Sequence, residues 1–219
     1  QPQQQQQNQY GQQQQPQQGY NNGYANPNDS FANHFVTIEK IERKWRLYSV
    51  NYWVTIAIAV LGFLTLILLE EEFRLRDDEM AVAILIYAVA VLTTGIIAMV
   101  NSLGIIYHCW AAIQDGGRAR TRPGEAVGFL FIPIFNWYWI FVAYKGLAED
   151  MNNYQMSRNM NYQKVDDGLP TAFCVMTLCG IIPYLGWLAS LANMVVGFVM
   201  IGSFKRSLIH LLREKQQMG

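Results

Sequence analysis

Long apolar blocks separated by short charged segments make up most of this chain after its first 30 residues. The first block, 50–69, carries no charge for 20 residues. At ~1.5 Å per residue, a helix of that length matches a hydrocarbon core of ~30 Å. Tyr52 and Trp53 at its start fit the aromatic belt of a membrane interface. The block therefore predicts a first membrane-spanning helix.

A second apolar block, 80–114, is uncharged for 35 residues when His108 is neutral. A single helix of that length, ~52 Å, exceeds the bilayer thickness. We therefore expect a span over about 81–103 that continues beyond the interface. Thr94, Ala98 and Ser102 recur at every fourth position, and small side chains at this spacing let a neighbouring helix approach closely.

The third apolar block lies in the stretch 121–152, TRPGEAVGFLFIPIFNWYWIFVAYKGLAEDMN, around which we expect the other spans to pack. It holds no charge over 126–144, which predicts a third span. Pro133 predicts a kink in that span, because proline removes a backbone donor and clashes with the carbonyl of Phe129.

Asn136 follows Pro133 on the same helical face. An amide buried in a bilayer needs a hydrogen-bond partner. We therefore expect Asn136 to face the second span near Asn101 or Ser102, and the kink to serve packing first.

The last apolar block, 168–204, is interrupted by Pro-Tyr-Leu-Gly at 183–186. Two interpretations stay open: residues 171–182 form a half-membrane or interfacial piece before a span over 184–204, or the whole block is one kinked helix. Twelve residues are too few to cross a bilayer. The fold class predicted is an all-α integral membrane protein, a four-span helical bundle with kinked third and fourth spans.

The segments outside the predicted membrane domain, 49–204, differ from it in pattern. Residues 1–30 are Gln-rich, with Gln at 13 of the first 20 positions, which predicts disorder. Residues 31–48 predict an amphipathic helix, either lying against anionic lipid headgroups or packing on the protein's own loops; the first is favoured. Residues 205–219 form a basic tail. The apolar face of the amphipathic helix comprises Phe31, Phe35, Ile38, Ile41, Trp45 and Tyr48.

The net charge is zero, so the chain has no basic surplus that would indicate nucleic acid as a partner. Four crossings place the N-terminal segment, the loop with Arg118, Arg120 and Arg122, and the tail on one side. That side then has 11 Lys and Arg residues and the other has 5. The positive-inside rule predicts that both termini are cytoplasmic.

The residue types that catalysis needs are poorly represented. No charged residue lies inside a predicted span, the three cysteines form no C-x-x-C, and the three histidines lack a second ligand at metal-binding spacing. No G-x-S-x-G or H-E-x-x-H motif occurs. We expect no enzyme activity, no cofactor and no metal.

The stretch 121–152 resembles an uncharacterised bacterial multi-pass inner-membrane family, a domain of unknown function. The family pattern is Thr-x-Pro-Gly-x-Ala-Val-Gly, then Phe-Ile-Pro, Asn and Tyr-Trp, and the likeness covers roughly residues 45–212. The resemblance implies a membrane domain in the bacterial inner membrane and implies no activity. The matching residues are Thr121, Pro123, Gly124, Ala126, Val127, Gly128, Phe131, Ile132, Pro133, Asn136, Tyr138 and Trp139.

Two functions from different classes remain open, and an intramembrane enzyme is disfavoured. The leading hypothesis is a non-catalytic anchor or scaffold that holds a protein partner, or a second copy, at the membrane. The alternative is a homo-oligomeric channel or small-solute pathway lined by Asn101, Asn136 and Asn193, with one Asn in each of three spans.

Overall fold

The computed structural model describes residues 38–72, 77–161, 163–182 and 184–218, and these contain helices and no strand. The Gln-rich segment 1–30 and residues 31–37 lie outside the described residues. The helices, renumbered in chain order, are α1 Ile38–Glu72, α2 Asp77–Ala112, α3 Pro123–Gly128, α4 Asn136–Ile140, α5 Leu147–Ser157, α6 Gly168–Cys179 and α7 Leu185–Met218.

Three shorter helical segments lie between these helices. They are two 3₁₀ turns, Gln114–Gly116 and Phe129–Phe131, and a π-helical segment, Phe141–Gly146, that joins α4 to α5. Gly117 ends the turn after α2 in the left-handed region, with φ 62°.

Three helices of the described chain are long and apolar enough to cross a membrane, in the segments Ile38–Thr65, Glu79–Gly116 and Leu188–Gln217. The first two confirm the predicted apolar helices and lie in α1 and α2. The third lies in α7. A fourth helix of this kind, expected over 121–152, is not found there.

α1 and α2 form an antiparallel pair. The Tyr87 hydroxyl donates to the Ala59 carbonyl oxygen at 3.1 Å, and the Tyr87 ring covers Gly62, where an added Cβ would lie 2.3 Å from the ring. At the other end of the pair, the Lys44 side chain lies over Gly104. Only glycine permits so close an approach of ring and backbone at position 62.

The predicted amphipathic helix is not a separate element. Residues 38–48 are the first turns of α1, which continues without a break into the apolar block. Ile41 and Tyr48 are buried and Trp45 packs against the same core, so the described part of the predicted apolar face packs on the protein. Contact of this segment with anionic lipid headgroups stays a prediction.

The prediction of a kinked third span is wrong, because the chain doubles back within 121–152. After α3 and the 3₁₀ turn, Ile134 takes φ 66° and the chain reverses into α4. The Trp139 indole donates to the Ala126 carbonyl oxygen at 3.1 Å across the two legs. We call residues 120–150 hairpin A; Pro133 lies in its turn and does not kink a continuous helix.

A second reversal joins α6 to α7. The Asn193 amide donates to the Thr177 hydroxyl at 2.9 Å, and the Phe173 ring lies beside Gly197. The two helices are therefore antiparallel, which excludes one kinked helix and favours a half-length piece before a long helix. We call residues 168–204 hairpin B. The expected tail at 205–219 is largely a helical continuation of α7, which runs to Met218.

The buried core lies at one end of the molecule, which we call the base. It unites the start of α1, the end of α2, hairpin A, α5 and the second half of α7. The rest of the α1–α2 pair, 54–72 and 77–97, projects from the base, and we call it the arm. No described arm residue belongs to the buried core. Residues 145–161 and 163–167 also lie at the base, whereas four crossings would have placed them on the opposite side of the membrane.

Candidate functional site at the base of the bundle

Arg120 closes hairpin A at its open end. Its backbone N–H donates to Asp150 Oδ2 at 2.9 Å, and its Nε donates to Asp150 Oδ1 at 3.0 Å. A further guanidinium N–H donates to Glu149 Oε2 at 2.9 Å. This two-carboxylate contact fixes both legs of the hairpin at one level, which is why the hairpin enters and leaves at the base.

Two buried carboxamides of α5 hold the connection to α6. The Asn152 amide donates to the Val165 carbonyl oxygen and accepts from the Val165 N–H, both at 2.9 Å. Gln155 is fully buried, bonds to both backbone groups of Gln163 and reaches Ser207 in α7. A carboxamide side chain has both a donor and an acceptor, so it can bond to the N–H and the carbonyl oxygen of one residue, as a neighbouring β-strand does. The connection is thereby fixed to the core.

A cluster of two cations, one carboxylate and one aromatic ring joins α7 to the end of α2. The Lys215 ammonium donates to the Ala112 carbonyl oxygen at 2.6 Å and to Asp115 Oδ2 at 3.0 Å. Lys215 and Arg158 lie 4.9 and 5.0 Å from the Tyr154 ring centroid. Such cation–π contacts and the capping of a helix C-terminus by an ammonium are both favourable.

The Tyr154 hydroxyl is buried beside the Asp115 carboxylate. Burial, and secondarily the Asp115 carboxylate, raises the pKa of this phenol above its usual value, so the hydroxyl keeps its proton. Tyr154 also lines a cavity of about 460 Å³ that opens beside Arg118, with Asn153 and Ser157 on its wall. The base thus offers a recess of mixed polarity, with Arg118 and Asp150 among its lining residues.

The three predicted arginines have different surroundings. Arg120 forms the hairpin contact described above, and exposed Arg118 lines the cavity. Arg122 is exposed at the start of α3, where its backbone N–H donates to Glu125 Oε2 at 3.3 Å. The structure therefore brings Arg118 and Arg120 to one surface with Asp150, and sets Arg122 at its edge.

The predicted intramembrane polar residues are not brought together by hydrogen bonds. Asn101 donates to Ile97 and Ser102 to Met99, both to carbonyl oxygens of their own helix. Asn193 pairs with Thr177 in hairpin B. The expected bond from Asn136 to Asn101 or Ser102 is absent among the described contacts, and Asn136 Oδ1 is buried without a partner. The Phe129 carbonyl oxygen accepts from the Ile132 N–H at 3.3 Å.

Sequence reasoning missed Asp150, Asn152, Gln155, Tyr154 and Lys215. A signal existed for the carboxamides, because Asn152 and Gln155 are three apart and share one face of α5 with buried Met151 and Ala148. No local signal pairs Arg120 with Asp150 or Lys215 with Asp115, since these partners are 30 and 100 residues apart.

Within the described chain, no group of three or more His, Cys, Asp and Glu side chains is placed to hold a metal ion. Cys109 and Cys174 are buried free thiols and Cys179 is half-buried. Comparisons with protein-family models, curated proteins and solved structures found no match to this chain.

Proposed function

We propose that this chain is a non-catalytic multi-pass membrane protein that anchors a protein partner at the membrane. The observation that carries the proposal is the division between arm and base. Apolar side chains cover the arm, whereas the recess beside Arg118, the exposed arginines and both described chain ends lie at the base. A partner would bind the base while the arm holds it at the bilayer.

The distribution of charge supports a cytoplasmic base. Of the 16 Lys and Arg residues, all but Arg74 and Arg76, which follow α1 in sequence, belong to elements of the base. The segment 70–79 between the apolar blocks carries six carboxylates. The positive-inside rule then favours a cytoplasmic base more strongly than the four-span arrangement did. The bacterial inner membrane is the location that the family resemblance implies.

Cysteine labelling tests this orientation. In a chain whose three native cysteines are replaced, single cysteines at Asn153 and Gln216 should both be inaccessible to an impermeant reagent added outside the cell. A cysteine at Glu79 should be labelled. Labelling of Asn153 but not Gln216 would restore the four-span topology, and labelling of both would invert the protein.

Photo-crosslinking tests the anchor itself. A photoreactive amino acid at Met156, exposed on the cavity wall, should capture one recurring protein of discrete mass in cells. The matched control is Ile86, which is also apolar and exposed but lies in the arm. Capture of the same protein from both positions, or of lipid alone from Met156, would contradict the proposal.

A channel is the second candidate, because Asn136 Oδ1 and Asn193 Oδ1 are both buried without partners. Such groups are costly in an apolar setting and can mark a solute path. Purified protein in liposomes decides between the two functions. Conductance or solute flux that is lost in Asn136→Leu would favour the channel, and its absence at matched protein density would leave the anchor.

A further inference from the structure

The turns of hairpins A and B share a sequence and a geometry. Residues 132–137, IPIFNW, and 182–187, IPYLGW, are 50 positions apart and both read Ile-Pro-x-x-x-Trp. Ile134 and Tyr184 occupy corresponding positions, and both have φ 66°. In each turn the amide two residues later, of Asn136 or Gly186, donates to the isoleucine carbonyl oxygen, at 3.0 and 2.7 Å. The chain thus contains one reversal motif twice.

Several backbone groups of each turn are paired by hydrogen bonds within the hairpin. In hairpin A, the amides of Ile132, Phe135, Trp137 and Tyr138 donate to carbonyl oxygens within the turn. In hairpin B, those of Gly180, Ile181 and Ile182 donate back into α6. The proline of each motif has no N–H to satisfy. A non-helical reversal can lie in an apolar medium only when its polar groups are paired in this way.

The side chains at the two turns are apolar and face outward. Ile134 is 77% exposed and Tyr184 is 95% exposed. Their exposed apolar neighbours are Phe131, Ile132, Trp137, Tyr138, Ile181, Ile182, Leu185 and Leu188. Water would not favour two such protruding surfaces, whereas acyl chains would.

Helix register gives the height of hairpin B. The Tyr52 hydroxyl donates to the Met194 carbonyl oxygen at 3.0 Å, which places Met194 beside the start of the apolar block 50–69. Leu185 precedes Met194 by nine residues, so the turn lies roughly 13 Å further along the arm. That is about half of the ~30 Å hydrocarbon core. The apolar part of α7 therefore ends near the bilayer midplane.

Hairpin A reaches a similar height. The Cys174 thiol donates to the Ile140 carbonyl oxygen at 3.4 Å, and the Tyr144 and Phe173 rings are in contact with centroids 5.0 Å apart. Ile134 precedes Ile140 by six residues and Cys179 follows Cys174 by five. Both turns thus lie about 8–9 Å beyond this contact.

We infer that hairpins A and B form a lipid wedge, which fills the leaflet on the base side and stops at the midplane. Only the α1–α2 arm continues into the opposite leaflet. At a helix diameter of ~10 Å, the legs of the two hairpins enlarge the protein's cross-section in one leaflet alone. The partner of this surface is a lipid monolayer that is convex toward the base. The inference is independent of whether the base holds a protein partner.

The wedge predicts that the protein collects on strongly curved membranes. The full chain, labelled at the base, is reconstituted into small and large vesicles of one lipid composition, and only molecules with the base outward are counted. The density on small vesicles should be at least about twofold higher than on large ones, since asymmetric insertion is curvature-sensitive. Equal densities would overturn the wedge.

Matched turn variants assign the effect to the hairpins. Ile134→Lys with Tyr184→Lys should abolish the preference, because charged turns withdraw toward the headgroups. Ile134→Leu with Tyr184→Phe should retain it. Retention of the preference in the lysine variant, when that variant remains monodisperse, would overturn the inference.

A measurement of depth needs no destabilising change. Environment-sensitive labels at Ile134→Cys and Tyr184→Cys should be quenched by nitroxides at the ends of acyl chains and not by aqueous iodide, as should a label at Leu85→Cys in the arm. Quenching of either turn by iodide would overturn the inference. So would crosslinking of turn to turn between two molecules, since a second copy would then replace the lipid.

Discussion

Arm and base differ both in the residue types of their helices and in the surroundings of their apolar side chains. In the arm, leucine, isoleucine and valine are exposed on most sides, and Leu92 is 63% exposed. In the base, Trp110, Phe204 and Leu208 are fully buried and carboxamides and ion pairs lie among them. The arm therefore depends on an apolar solvent, whereas the base has an interior of its own. Predictions that separate the two regions test this division.

The largest expected effect is at Trp110, whose indole donates to the Ala143 carbonyl oxygen at 3.2 Å and joins α2 to hairpin A. Trp110→Ala removes the largest buried side chain of the base and should lower the free energy of unfolding by about 3–5 kcal/mol. The measurement is unfolding in detergent, with Leu92→Ala as the arm control, expected to change it little. Equal losses would mean that the arm also has a packed interior.

A smaller loss is expected at Asn152, which pairs with both backbone groups of Val165. Asn152→Leu leaves two buried backbone groups without partners, at roughly 1–3 kcal/mol each. Burial of the leucine side chain offsets part of this cost, so the net loss should be about 2–4 kcal/mol. The neighbouring exposed Asn153→Leu is the control and should be nearly neutral. Proteolysis of the 158–167 connection should accelerate in the first variant only; if both resist equally, the connection is held by other contacts.

The arm has one tight internal contact, and it can be tested with two glycines. At Gly62 an added Cβ would lie 2.3 Å from the Tyr87 ring, whereas at Gly95 nothing lies within 4 Å. Gly62→Ala should destabilise by about 1–3 kcal/mol through overpacking. Gly95→Ala should be neutral or slightly stabilising, because alanine favours the helix. The reverse order of the two melting temperatures would show that α1 and α2 pair through a different face.

The sequence could predict the arm and not the hairpins, for a physical reason. An apolar run such as 50–69, as a helix, matches the thickness of the hydrocarbon core. Its length alone predicts a span, without knowledge of which other helix it contacts. An apolar run with a central proline is compatible with a kinked span and with a reversal, and local pattern does not separate them. Contacts between residues distant in sequence decide between a kinked span and a reversal. Examples are those of Arg120 with Asp150 and of Trp139 with Ala126.

One local signal for the hairpins was present in the repeated Ile-Pro-x-x-x-Trp of 132–137 and 182–187. A turn that occurs twice is more informative than either copy, because a kink in two unrelated spans would not require the same residues. The turn of hairpin B requires glycine at position 186, because an added Cβ would lie 2.5 Å from the Gly180 carbonyl oxygen. The site at the base had no comparable repeat, since its ion pairs form between distant elements.

The smallest expected change in stability is at Asn136, in the turn of hairpin A. If its amide paired with α2, as the sequence suggested, Asn136→Leu would cost on the order of 1 kcal/mol. In the structure Asn136 Oδ1 is buried without a partner. An unpaired buried acceptor is already unfavourable, so leucine should be neutral, within about 0.5 kcal/mol, or stabilising. The measurement is unfolding in detergent beside Asn193→Leu, which loses the Thr177 bond and should be the less stable variant. A clear loss at Asn136 would mean that this amide has a partner in the membrane, and if solute flux fell with it, that partner would be water in a pore.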